Sequence, residues 1–142
     1  MKKFASTLMV LLTCSILSLA QIAPAGINYQ AVARDASGNV LTSQNVGLRF
    51  TLHATTPSGT IVYRETQSLT TNAFGLFTAV IGAGAVVSGS FPLIEWENAD
   101  HYLQVELDPA GGSAYTDMGT SQLLTVPYSF AANVAGRSLD NH

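Results

Sequence analysis

The sequence predicts an all-β protein, an antiparallel β-sandwich followed by a short C-terminal helical segment. Three observations predict it. No window after residue 21 sustains a long helical period. Short strand-like runs follow one another about every ten residues, separated by Gly, Pro, Asn and Ser. In NVGLRFTLHAT (45–55), Val46, Leu48, Phe50, Leu52 and Ala54 face one way, and Gly47, Arg49, Thr51 and His53 the other. That period of two is the mark of a half-buried strand. A small closed barrel is the runner-up architecture.

Taken in order, the chain opens on a leader. Lys2 and Lys3 form a basic start, FASTLMVLLTCSILSLA (4–20) is apolar and uncharged, and Ser18-Leu19-Ala20 supplies the small residues a signal peptidase reads. Residues 1–20 are expected to be a secretory signal peptide. A membrane anchor is the competing reading, but the run lies at the short edge of a span and no basic stop-transfer flank follows it. Cys14 makes a poor lipidation site, because Thr13 stands where Gly or Ala is expected.

The sandwich is expected over 21–126. GINYQAVARD (26–35) is a strand run ending in the turn ASGN, and TPSG (56–59) turns 45–55 into TIVYRETQSLTT (60–71). FGLFTAVIG (74–82) is apolar at both parities and reads as a strand buried between layers. VVSGSFPLIEWENAD (86–100) has no period and reads as a crossover with one helical turn, pinned by Phe91, Leu93, Ile94 and Trp96. HYLQVELD (101–108) points Leu103, Val105 and Leu107 inward, and AYTDMGTSQLLTV (114–126) supplies one or two last strands. No internal repeat is visible.

Without the leader the chain keeps no cysteine, which excludes disulfides, thiolate metal sites and a cysteine nucleophile. Four arginines against nine carboxylates leave a net charge of −5, with no basic footprint for nucleic acid. Lysine is absent as well, and lysine is a common guard of sheet edges. An edge open to a partner strand is one reading; short, twisted or covered edges are the other.

No residue set declares an enzyme. A serine hydrolase would need a G-x-S-x-G elbow and a placed histidine, yet His53 and His101 sit in strand runs and read as solvated, and His142 is the last residue. Neither H-x-x-x-H nor H-x-E spacing supports a metal site. Glu95, Glu97 and Asp100 place oxygen ligands beside Trp96, the pattern of a ligand or calcium loop, but they lack the D-x-D-x-D-G spacing. Glu95, Glu97, Glu106 and Asp108 can be imagined as a glycosidase pair, but no aromatic groove accompanies them. The glycines of IGAGAVVSG (81–89) miss the dinucleotide spacing and read as a turn. No cofactor is expected.

The C-terminal stretch 127–142 is set apart. Pro127 suits the first turn of a helix; Tyr128, Ala131, Ala132 and Ala135 then form one helical stripe, with Phe130 and Val134 on an adjoining one, before Gly136. Ten residues of helix are marginal alone. The segment Pro127, Tyr128, Phe130, Ala131, Val134, Ala135 is therefore expected either to dock on its own sandwich or to assemble with other copies.

With FGLFTAVIG, WENADHYLQVELDPAGG and LLTVPYSFAANVAG in view, the chain resembles the N-terminal region of secreted bacterial tail-fibre-domain proteins, stalk- or adhesin-like surface proteins. The matching pieces are Gly26–Leu41, Thr71–Gly82, Trp96–Gly112 and Met118–Ala135, in the same order. The resemblance implies a transthyretin- or immunoglobulin-like sandwich, and relatives that continue into trimeric stalks. It implies no catalytic residue. This chain stops at His142, so a standalone module or a shortened stalk protein is expected. The expected function is a non-enzymatic secreted or cell-surface structural or adhesive module of a Gram-negative bacterium, self-assembling as a trimer through 127–136 or joined to a downstream stalk. An extracellular glycan- or peptide-binding module is the alternative, and the periplasm the alternative location. Stable membrane insertion is not expected once the leader is cut.

Overall fold

The computed structural model describes residues 26–124. The expected signal peptide (1–20) and the segment 127–136, with its expected helix, lie outside the described residues. Seven strands run in chain order: β1 (Ile27–Val32), β2 (Asn45–Ala54), β3 (Thr60–Thr70), β4 (Leu76–Ile81), β5 (Ala85–Gly89), β6 (His101–Asp108) and β7 (Thr116–Leu123). A single 3₁₀ turn, Phe91–Leu93, follows β5. All strand pairs are antiparallel, in a five-stranded sheet ordered β5-β3-β2-β6-β7 and a two-stranded sheet of β1 and β4. No strand pair joins the two sheets, so they form a sandwich and not a closed barrel. Among the described residues no helix is long and apolar enough to cross a membrane.

The alternation in β2 organises the core. Val46, Leu48, Phe50 and Leu52 are fully buried on its inner face, meeting Tyr63 from β3 and Leu103, Val105 and Leu107 from β6. From the second sheet, Phe77, Ala79 and Ile81 close over them, and the Tyr29 ring meets Phe50 edge-on at 5.3 Å. Burying side chains of this size contributes about 1.5–3 kcal/mol each, which sets the inward register.

Four expectations are corrected. β4 is not buried on both faces: Val80 is 44% exposed, because a two-layer sandwich places nothing behind the second sheet. The segment 86–100 is not all crossover, since Ala85–Gly89 pairs with β3 as an edge strand. Of its four expected pins, Phe91 is buried, Ile94 is half-buried against the core and Trp96 packs on Phe91, but Leu93 points to solvent. Finally, His53 and His101 are both buried, not solvated. His53 lies on the outer face of β2, which neighbouring side chains cover: its Nδ1 donates to the Gly59 carbonyl oxygen at 2.9 Å, and Nε2 lies 2.8 Å from the Gln104 amide. On the same face Arg64 donates to the Thr51 hydroxyl at 2.9 Å.

The second sheet is shorter than the first. Gly82, just past β4, reaches Glu65, the register partner of Phe50. Beyond that level, toward Ala54, the inner face is covered by the 90–100 loop. Both outer strands of the larger sheet break register, β5 between Arg64 and Glu65, and β7 between Gln104 and Glu106. Such bulges close an edge to a partner strand without lysine.

Candidate functional site

The loop singled out by the sequence is held by an aromatic ladder. Phe91 packs edge-on against Tyr63 at 5.3 Å, Trp96 against Phe91 at 5.7 Å, and His101 beneath Trp96 at 4.9 Å. Phe91 can reach Tyr63 because Gly89 adopts φ +79° and turns the chain inward; a Cβ there would overlap the Val62 carbonyl. Backbone bonds fasten the far side, with Thr55 donating to the Asp100 carbonyl at 2.7 Å.

Beside the ladder lies an open depression of about 420 Å³, walled by Ala54, Val62, Leu93, Ile94, Ala99 and His101, with Glu95 and Asn98 on its rim. Its size suits a small ligand or a few side chains. Trp96 is 41% exposed and flanks the depression through its contact with His101. Glu95 accepts a hydrogen bond from the Asn98 amide at 2.5 Å. Glu95, Glu97 and Asp100 are all exposed, and they do not come together: among the described residues, no three His, Cys, Asp or Glu side chains converge on a common point. Glu106, also weighed for hydrolysis, is forked to Arg49 at 2.5 and 2.7 Å, and Arg49 in turn lies 4.7 Å over the Tyr115 ring.

Two further polar centres stand out: Glu65, which was not singled out from the sequence, and Asp108, which was weighed there only for a glycosidase pair. Glu65 has no exposed surface and faces the core between the sheets. It accepts from the Tyr63 hydroxyl (2.6 Å), the Gln67 amide (2.6 Å), and the Gly82 and Gly84 N–H groups (2.8 and 3.2 Å). Four donors around one carboxylate satisfy a buried charge and tie the β4–β5 turn to β3. Burial, and then Glu65 itself, push the Tyr63 phenol far above its ordinary value. The only sequence signal was parity: Tyr63, Glu65 and Gln67 share the inward phase of β3.

The second centre is Asp108, where β6 turns back over the sheet. Its carboxylate accepts from the Ala110 and Ala114 N–H groups, both at 3.0 Å, and these bonds hold its pKa below the ordinary value. A depressed carboxylate adds stability that is present above the unfolded value of about 3.9 and is lost as pH falls through the folded one. Asp108→Asn should therefore lower the melting temperature at pH 7, and the gap to wild type should narrow as pH falls below about 4. A gap that stays constant with pH in calorimetry refutes this assignment.

These centres are structural supports, whereas the depression offers free apolar surface beside exposed polar groups, as does a second hollow of about 410 Å³ between Asn28, Gln30, Thr78 and Val80 on the two-stranded sheet. No curated protein and no solved structure matches the chain. A family profile described as a domain of unknown function (DUF8740) matches residues 28–121, which takes in every strand from β1 to β7. The chain belongs to the DUF8740 family.

Proposed function

We propose that this protein is an exported, non-enzymatic structural or adhesive module of the cell surface, which assembles as a trimer through residues 127–136. One observation carries the reading. The sandwich carries a register break in each edge strand of its larger sheet and satisfies its own buried polar side chains among the described residues, yet it delivers an exposed Leu124 directly before an apolar, small-residue segment. The leader-like start, the lysine-free acidic composition and the resemblance to tail-fibre-domain proteins support export and a surface role. Small residues along one stripe let chains approach closely around an axis.

Light scattering on the chain from Gln21 should give about three and a half times the mass of a version ending at Thr125, a trimer against a monomer. Two identical monomers would overturn the reading. The alternative, an extracellular glycan or peptide held by the 88–100 loop, rests on the depression and the half-exposed Trp96. It would be favoured by glycan-array binding that Trp96→Ala abolishes.

A further inference from the structure

At the Ala54 end of the larger sheet the covering 90–100 loop leaves the open depression between the 3₁₀ turn and His101. Its walls are mostly apolar, and Leu93 on its margin is 78% exposed. An isolated exposed leucine is ordinary; one bordering an apolar hollow beside a half-exposed tryptophan marks a surface that something covers.

The chain itself leaves the sheet at this place. Leu123 is the register partner of His101, a wall of the depression, and packs against the core from the inner face. Directly opposed residues of neighbouring strands lie about 5 Å apart. Leu124 follows, 76% exposed. Pro127 is three residues further on, within about 10 Å of extended reach. A helix over 127–136 would be about 15 Å long. At about 100° per residue, Phe130 and Val134 fall about 40° apart on one side, while Tyr128, Ala131, Ala132 and Ala135 centre on another. Two apolar stripes require two covers. A tether this short holds the segment beside the depression at an effective concentration in the millimolar range, far above that of a neighbouring molecule in dilute solution.

We propose that Phe130 and Val134 seat in the depression of their own chain, beside His101 and Leu93. The segment then docks on its sandwich by one stripe and keeps the alanine stripe for other copies. This goes beyond the assembly reading and does not depend on it, since the seat forms within a single chain.

Downstream of the leader the protein has no cysteine, so introduced thiols are the only ones. In the chain from Gln21, Leu93→Cys is combined with Phe130→Cys, and the dilute protein is treated with a short bismaleimide. The expected product is one linker bridging each chain, seen by intact mass and as a monomer band on a denaturing gel. A control pair, Gln30→Cys with Phe130→Cys, carries its first thiol on the exposed outer face of the two-stranded sheet and should stay unbridged. As a second readout, Phe130→Asp with Val134→Asp should shift the emission of Trp96, the single tryptophan, to longer wavelength. Bridging only between chains, equal bridging of both pairs, no bridging, or an unmoved Trp96 emission would each overturn the proposal. Light scattering on the same samples reads assembly separately. A bridged monomer sinks the trimer and keeps the seat, whereas an unbridged trimer does the reverse.

Discussion

Glu65→Ala is expected to cost about 3 kcal/mol, a large share of the 5–15 kcal/mol that holds an ordinary domain together. Four donors lose their acceptor at once. The Tyr63 hydroxyl suffers most, because Tyr63 is fully buried and no water replaces the carboxylate. A buried donor left unpaired costs about 1–3 kcal/mol, and the cavity left by the side chain adds to that. Gly82 and Gly84 are half-buried, so solvent partly satisfies their N–H groups. Glu65→Gln should cost less. Its carbonyl oxygen still accepts from Tyr63 and the turn, and Gln67 can rotate its amide to meet the new NH₂. Glu65→Leu combined with Tyr63→Phe should also cost less than Glu65→Ala, because it removes the orphaned donor along with the charge. Urea denaturation of the four proteins checks the order. If Glu65→Ala lost under 1 kcal/mol, the carboxylate would not be the tie between β3 and the β4–β5 turn.

Gly47→Ala should be comparably damaging, at about 3 kcal/mol, even though alanine for glycine in a strand ordinarily helps. A Cβ at Gly47 would overlap the Gly112 carbonyl oxygen, which belongs to the backbone of the loop lying on the outer face of β2. Backbone cannot rotate away as a side chain can. The loop must lift, and it is fastened by the two bonds to Asp108 and by Gln44, whose amide donates to the Pro109 carbonyl. For a domain of this size each kcal/mol lowers the melting temperature by about 4–8 °C. Ser121→Ala, at an exposed position of β7, serves as the reference and should stay within about 0.5 kcal/mol of wild type. Equal melting temperatures for Gly47→Ala and wild type would show that the loop does not press on β2.

Where one face of a strand alternates cleanly, the sequence alone carries the structure. In β2 and β6 the inward sets are Val46, Leu48, Phe50, Leu52 and Leu103, Val105, Leu107, as their spacing indicates. Parity does not say what covers the other face. Thr51 and His53 read as outward and are buried all the same, because Arg64, Gln104 and the Gly59 carbonyl close over them from neighbouring strands and turns. Parity also fails at bulges. The register break opposite Arg64 and Glu65 leaves Val86 and Val87 both exposed, which erases the alternation and hides β5. The site was half legible. Trp96 flanks the depression, but Glu97 and Asp100 stay apart in solvent, and side-chain convergence across a loop leaves no periodic trace. Glu65 sat in plain view at an inward position. Its acceptance in the core depends on the Gly82 and Gly84 N–H groups, contributed from beyond another strand.

The strand order also implies a timetable for folding. β2 sits at the centre of the larger sheet, joined to β3 by the short turn 55–59, yet its other neighbour, β6, comes from far along the chain, with Ala54 opposite His101. The β2–β3 hairpin is a microsecond event, whereas closing β6 onto it must first overcome the entropy of the long intervening loop. Until that closure one whole side of the central hairpin is an unpaired edge, and the bulges that guard the finished sheet lie on strands at the margins, away from that edge. The exposed interval is then set by how fast β6 arrives, and the speed of that single pairing, more than the final stability, governs how much of the newly made chain escapes aggregation.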